Sequence, residues 1–186
     1  MFGGSFDPVH CGHLAAARSA ADHLRLDQVR FVPARLQPLK ASGPRAGSQD
    51  RLAMLRAALD GAQDFVVDPR EIGRPGPSYT VDTLREITRE RPADELFLLI
   101  GADAVQDLPR WHDAPEIPKL ATVVVLPRSG SGLPPGDGVI ALEMTPVDVS
   151  ATAIREALAR RQSIKHLVPE VVADYIAAHG LYRTGV

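Results

Sequence analysis

Apolar and polar positions fall into two kinds of block along this chain. Short runs of branched and aromatic residues with no polar alternation mark strands: "VRFVPA" (29–34), "DFVVD" (64–68), "LFLLIGAD" (96–103), "TVVVLPR" (122–128) and "VIALEM" (139–144). Such unbroken runs suit a parallel sheet covered on both faces. Between them lie helical stretches. "HLAAARSAADHL" (13–24) is rich in Ala and Leu, a second helix runs from a Ser48 cap to about Leu59, and a third runs from Thr80 or Ser78 to about Glu90. "SATAIREALARR" opens at Ser150, and "PEVVADYIAAHG" starts on a proline and ends on a glycine. "RLQPLKASGPRAGS", "GRPGPS" and "SGSGLPPGDG" are Pro/Gly-rich loops. Strand and helix alternate, which predicts an α/β fold: a Rossmann-like parallel sheet with helices on both faces. Ligands of such sheets bind outside the carboxyl ends of the strands, so the loops that follow strands are the ones to examine.

The totals narrow the class. A chain of 186 residues fits one domain, 1–186. Its size buries about 70% of the unfolded surface, so neither disulfide nor metal is needed for folding. The net charge of −2, from 21 basic and 23 acidic residues, carries no basic excess of the kind nucleic-acid binding calls for. The single cysteine, Cys11, excludes an internal disulfide and fits a reducing cytosol. No apolar run approaches the ~20 residues that span a bilayer, and no signal peptide is seen. The expectation is a cytoplasmic protein with no membrane or nucleic-acid partner. Oligomeric state is not set by the sequence, and a homo-oligomer stays open.

The most constrained loop comes almost first: "GGSFDPVHCGH", Gly3 to His13. It would join the first strand to the first helix. Gly3 and Gly4 would let the backbone approach a ligand and adopt positive φ. The helix start beyond them points N–H groups outward and favours an anion. His10 and His13, three apart at that start, can both donate to phosphate oxygens. Read from its residues, the stretch is a phosphate cradle, though neither a Walker loop nor G-x-G-x-x-G. His10, Cys11 and His13 make a poor metal set, because no partner cluster with suitable spacing follows, so no metal ligand is assigned. Only Met1 and Phe2 precede the glycines, fewer than the roughly five residues of an ordinary strand. Either the first strand is very short or residues upstream of Met1 complete it. Lacking both, the middle of the sheet would hold a hydrogen-bonding gap.

The stretch resembles the T/HxGH signature of the nucleotidylyltransferase superfamily, and in its fuller form that of the bacterial nicotinate-nucleotide adenylyltransferase family. "GPSYTVDTL" (76–84), "LLIGADAVQDLPRWHD" (98–113), "VSATAIRE" (149–156) and "VADYIAAHGLYR" (172–183) follow in the family's order. The resemblance implies that ATP and nicotinate mononucleotide give nicotinate adenine dinucleotide and pyrophosphate, with Mg²⁺ carried mainly by the ATP phosphates, in NAD biosynthesis. It implies catalytic roles for His10, His13 and Arg155. It assigns ATP to these three with Gly3, Gly4, Ser5, Gly101, Asp103, Ser150 and Thr152. It assigns the nicotinate mononucleotide to Lys40, Thr80, Trp111 and His112, with Trp111 stacking on the nicotinate ring.

Each of these residues also has a plainer reading. Alone, the histidines would be ordinary loop residues, Arg155 a solvated arginine on a capped helix, Asp103 a helix N-cap, and Lys40, Arg45 and Arg128 surface charges. Their occurrence in register favours the site. Asp7 and Pro8 are expected to shape the loop rather than touch substrate. The chain departs from the family at Leu39, where histidine is common, and at His112, where tyrosine is common. The alternatives are a relative accepting nicotinamide mononucleotide, one accepting a phosphopantetheine, a non-catalytic nucleotide-binding module and an RNA-binding relative.

Overall fold

A computed structural model describes residues 1–39, 43–127, 139–145 and 147–183. Its strands are β1 (Phe2–Gly4), β2 (Val29–Pro33), β3 (Phe65–Val67), β4 (Phe97–Gly101), β5 (Thr122–Leu126) and β6 (Val139–Ala141). Its helices are α1 (Cys11–Leu24), α2 (Ser48–Leu59), α3 (Arg70–Gly73), α4 (Thr80–Glu90), α5 (Ala102–Val105), α6 (Ile117–Leu120), α7 (Ala151–Ala159) and α8 (Glu170–Ala178). Two 3-10 turns, Leu108–Arg110 and Ala114–Glu116, lie between α5 and α6. The strands form one sheet in the order β3-β2-β1-β4-β5-β6, and every pairing is parallel. The predicted α/β sheet is therefore present. Its order reverses between β1 and β4, the switch point where doubly wound sheets open a crevice.

Alternation within each strand builds a core on either face. Leu98 and Ile100 of β4, with Val123 and Val125 of β5, join Val81, Leu84 and Ile87 of α4 in one buried cluster. Leu99 and Val124, the residues between, join the other cluster with Phe31, Ala17 and Ala20 of α1, Leu55 of α2, Ile154 of α7 and Ile176 of α8. A period of two thus sends neighbours to opposite cores, and the strands need no polar face. The buried stripe of α1 is Ala16, Ala17, Ala20 and Ala21. These small side chains let the helix that carries the histidines lie close to the sheet.

The first strand spans three residues, and Met1 extends its ladder to β4. The Met1 amine donates to the Phe97 carbonyl at 2.7 Å. The Leu99 N–H donates to the Met1 carbonyl at 2.9 Å.

Two predicted helix caps are corrected. The second helix is capped by the Gly47 backbone and not by the Ser48 side chain, because the Ser48 hydroxyl accepts from Arg51 Nη2 at 3.2 Å. The third is capped by Tyr79, and Ser78 Oγ instead accepts from the Arg35 N–H at 3.0 Å. "SGSGLPPGDG" (129–138) and Arg128 lie outside the described residues.

A buried carboxylate sits where α3 meets α4. Glu71 is 5% exposed and accepts from Thr83 Oγ1 at 2.7 Å. Desolvation raises its pKa above 4.5, opposed by hydrogen bonds from Thr83 and Ser78 and by the Arg74 charge, with the Asp68 charge adding to the rise. A carboxyl whose folded pKa is raised contributes stability that is full below the unfolded value and lost as pH rises through the folded value. Gln at this position keeps an acceptor for Thr83 and never ionises. Glu71→Gln should therefore match the parent in melting temperature near pH 4 and exceed it near pH 7. A gap that does not change across a pH series of melting curves would count against burial as the dominant cause.

Candidate active site

The loop from Ser5 to His10 leaves the carboxyl end of β1 at the switch point and enters α1. A helix start leaves its first N–H groups without intrahelical partners. Here two imidazoles meet that need. His10 is the N-cap, and its Nδ1 accepts from the His13 N–H at 3.3 Å. His13 Nδ1 in turn accepts from the His10 N–H at 3.2 Å. The rings stack with centroids 3.6 Å apart and planes 26° from parallel. A nitrogen that accepts a hydrogen bond carries no proton, so each neutral ring holds its proton on Nε2. The cap thus turns both histidines into Nε2–H donors of fixed orientation.

The glycines act differently from the expectation. Neither Gly3 nor Gly4 has positive φ; both lie in β1, paired with Val32 and Pro33. The left-handed residue is Phe6, at φ 47°. It is held by its own burial, with its ring 5.0 Å from that of His13 and 5.7 Å from that of Phe2. Gly4 serves by having no side chain, since a Cβ there would stand 3.1 Å from the Phe6 ring. The strictest glycine is Gly12, which was not singled out. A Cβ there would sit 2.8 Å from Val149 Cγ1 and 3.1 Å from His10 Nδ1. Gly12 therefore lets the residue before Ser150 close against the histidine cap, and the motif spacing His-x-Gly-His already held that signal.

Ser150, Thr152 and Arg155 come to the same place from the far end of the chain. Ser150 caps α7, its Oγ accepting from the Ala153 N–H at 3.1 Å. Arg155 Nη1 donates to the Asp7 carbonyl at 2.7 Å, across 148 residues, and its Nη2 donates to Thr152 Oγ1 at 3.0 Å. Asp7 shapes the loop, as expected. It is 4% exposed, and its carboxylate accepts from the Arg45 N–H, the Ala46 N–H and the Tyr182 hydroxyl at 2.7, 3.0 and 2.8 Å. Arg51, also not singled out, is 1% exposed and donates from Nη1 to the carbonyls of Ser5 (2.6 Å) and Ala34 (2.8 Å). It stitches the loop after β1 to the loop after β2. Burial lowers its pKa, partly offset by the Asp7 charge. Its signal was an arginine one residue before Leu52 and three and four before Met54 and Leu55, on the apolar stripe of α2.

The remaining predicted residues follow β2 and β4. Ser5 Oγ donates to Gln37 Oε1 at 2.7 Å. The Leu36 carbonyl accepts from the Ser78 N–H at 2.8 Å, which draws the loop after β2 towards Thr80 at the start of α4. Gly101 ends β4 and is the N-cap of α5, so the N-cap reading of Asp103 is corrected: Asp103 is exposed in the first turn of α5. A Cβ at Gly101 would meet nothing within 4 Å, so the protein's own packing does not require glycine there. Trp111 is half-buried against the α4-side cluster. His112 is exposed, its ring 4.3 Å from that of Tyr79. Lys40 lies outside the described residues. Among those described, no group of three or more His, Cys, Asp or Glu side chains assembles as a metal site, and no helix is long and apolar enough to cross a membrane.

Known proteins resemble this chain in sequence and in fold. The cytidylyltransferase-like family model matches residues 1–157. A relative from Geobacillus thermodenitrificans is 43% identical over 188 residues, 100% of this chain and 87% of that protein. One from Thermus thermophilus is 45% identical over 184 residues, 98% of each chain. Both carry the name "probable nicotinate-nucleotide adenylyltransferase". Among solved structures, the nicotinic acid mononucleotide adenylyltransferase of Plasmodium falciparum complexed with NaAD superposes with a TM-score of 0.82. That match covers 97% of this chain and 95% of that one at 16% identity, and it speaks to the fold. With a family model over most of its length and full-length relatives above 40% identity, the chain belongs to the nicotinate-nucleotide adenylyltransferase family of cytidylyltransferase-like proteins.

Proposed function

We propose that this chain transfers the adenylyl group of ATP to nicotinate mononucleotide, giving nicotinate adenine dinucleotide and pyrophosphate in NAD biosynthesis. The observation that carries the reading is the stacked histidine pair at the start of α1, set against the start of α7 and Arg155. An oxygen of the mononucleotide phosphate attacks the α-phosphorus of ATP, and the bond from that phosphorus to the α–β bridging oxygen breaks. Pyrophosphate leaves with the electron pair. Such chemistry asks for positioning and for donors aimed at developing charge, not for an activated protein nucleophile.

His10 and His13 supply Nε2–H donors to the triphosphate. Ser150, Thr152 and the first turn of α7 add polar groups, and Arg155 adds a two-pronged cation. Gly3, Gly4 and Ser5 line the nucleotide along β1 and its loop. The open space at Gly101 admits the adenosine, with Asp103 placed to accept from ribose hydroxyls. Trp111 offers a face for the nicotinate ring, main-chain N–H groups at Thr80 and His112 meet its carboxylate, and Lys40 adds charge for the mononucleotide. Mg²⁺ bound with ATP would spread the negative charge of the phosphates. The residues fit a metal carried by the nucleotide rather than by the protein, because the Asp7 carboxylate in this loop is already committed to three hydrogen bonds.

Pyrophosphate release with ATP and nicotinate mononucleotide tests the activity directly. His10→Ala and His13→Ala should each lower turnover by roughly 10²-fold or more, the scale for losing a preorganised donor. Each also removes half of the helix cap, at about 1 kcal/mol of stability. Rates should therefore be compared below both melting transitions, and near-parent turnover in both folded variants would remove the histidines from the mechanism.

Gly12→Ala separates placement from chemistry. It leaves every donor in the chain but pushes the His10 ring and Val149 apart. Turnover should fall at least about tenfold, consistent with the sensitivity of positioned groups to shifts near 1 Å. Unchanged kinetics would mean the close contact is incidental.

Substrate choice gives a further test. A carboxylate accepts from two N–H groups, whereas a carboxamide turns its NH₂ toward one of them. Leaving one buried polar group unmatched costs about 1–3 kcal/mol, so nicotinate mononucleotide should be preferred 10-fold to a few hundred-fold over the nicotinamide form. Because the donors are main-chain, His112→Tyr should keep that preference, and Trp111→Ala should weaken both substrates. Equal kcat/KM for the two mononucleotides would place the chain with dual-specificity relatives.

A further inference from the structure

The segment "VADYIAAHGLYR" belongs to the shared pattern, yet none of its residues enters the reaction above. One of them reaches the phosphate loop. Tyr182 follows α8 and places its hydroxyl 2.8 Å from Asp7 Oδ1, across 175 residues. Its backbone is left-handed, at φ 63°, a conformation a bulky residue keeps only when its surroundings enforce it. Its ring is half-buried against the α1-side core.

The geometry around Asp7 says what that bond does. Asp7 Oδ1 receives Tyr182 Oη and the Ala46 N–H, while Oδ2 receives the Arg45 N–H. Arg155 Nη1 stands 3.8 Å from Oδ2 but only 2.7 Å from the Asp7 carbonyl. A buried carboxylate and an arginine this close would ordinarily form a short ion pair. Here the carboxylate takes its short hydrogen bonds from neutral donors, and the guanidinium keeps only a long contact with it while its own hydrogen bonds go to a carbonyl and the Thr152 hydroxyl. Neutral acceptors hold a cation far more weakly than a carboxylate does, so Arg155 can be given up to a phosphate. Desolvation and the Asp7 charge keep the Tyr182 phenol well above its ordinary pKa, so it remains a donor throughout the working pH range.

We propose that Tyr182 is a positioning residue: by hydrogen-bonding Asp7 it keeps the Asp7 carboxylate from capturing Arg155, and so leaves Arg155 available to the ATP phosphates. This rests on the assignment of Arg155 to phosphate in the function proposed above. Without the phenol, Oδ1 loses one of its two donors, and Arg155, 3.8 Å away at Oδ2, can close on the carboxylate. The ion pair that results is competitive with ATP. The C-terminal segment thereby tunes a residue of α7 through the first loop of the chain.

The test is a double-mutant cycle on pyrophosphate release, with Tyr182→Phe, Arg155→Ala and the combined variant. Tyr182→Phe keeps the ring and removes only the donor. It should lower kcat/KM for ATP about tenfold, the scale of one hydrogen bond to a charged group, while KM for nicotinate mononucleotide stays within about twofold. In the Arg155→Ala background the same change should alter kcat/KM by less than about twofold, because no guanidinium remains to be captured. Effects that multiply independently overturn the inference, and so does a Tyr182→Phe protein that cannot fold, since the bond would then be a folding determinant. If the parent is active and Arg155→Ala is harmless, the inference falls with the assignment of Arg155, while the proposed reaction stands. If the parent releases no pyrophosphate, the proposed function itself fails.

Discussion

A carboxylate removed from water must be given donors, and the loop after β1 is organised around that requirement at Asp7. Leaving a buried charge without its partners costs about 3–5 kcal/mol. Three groups from separate parts of the chain therefore converge on one residue: the backbone at Arg45 and Ala46 and the Tyr182 phenol on its carboxylate, and Arg155 on its carbonyl. The loop cannot move as a unit without breaking several of these bonds. Arg51 adds a second anchor from below, holding the Ser5 carbonyl beside that of Ala34. Its Nε is buried without a hydrogen-bond partner, a local cost borne by a side chain whose other nitrogens fix the spacing of two loops.

On that fixed loop, the helix cap and the proposed phosphate donors are the same two residues. A serine or aspartate at the cap would satisfy one first-turn N–H and end there. An imidazole has a second nitrogen. By accepting at Nδ1, His10 and His13 meet the helix's need and leave the opposite edge of each ring as a donor. Stacking at 3.6 Å aligns the two edges. Gly12 makes the stack compatible with α7, since a methyl group there would collide with Val149 and crowd the His10 ring.

The sheet places these parts near the residues proposed for the second substrate. Reversal of strand order between β1 and β4 sets the loop from Ser5 to His10 beside the end of β4 at Gly101. Residues after β4 run through α5 and two 3-10 turns to Trp111 and His112, where the Tyr79 ring ties the turn to the start of α4. The Arg35–Ser78 and Leu36–Ser78 hydrogen bonds bring the loop after β2 to the same region. Three strand ends thus contribute to one face of the molecule, with both apolar cores beneath.

The strands of the parallel sheet, the longer helices and the histidine-glycine loop were legible in the chain because each depends on local pattern. Runs such as "LFLLIG" and "TVVVL" cannot be stable unless covered on both faces, and the spacing of His10 and His13 follows from one helical turn. Ser150 was legible as a cap for the same reason. Other features had no local signal. The sequence pointed to positive φ at Gly3 and Gly4, but pairing in β1 holds those extended and passes the left-handed turn to Phe6, whose ring is stabilised by Phe2, Phe31 and His13. Ser48, Ser78 and Thr80 were equally good local caps; Arg51 of the same helix claimed the Ser48 hydroxyl, and the distant Arg35 N–H claimed that of Ser78. Gly12 stood in the visible His-x-Gly-His spacing, but its reason did not, because Val149 arrives from far along the chain; Tyr182 matters because Asp7 is buried. By itself, the sequence determined where the chain could be helix or strand and which short motif could hold phosphate, since backbone preference and side-chain period act over a few residues. Only the tertiary structure decided which polar atoms are buried and what must satisfy them, because desolvation depends on segments that meet only when the sheet closes.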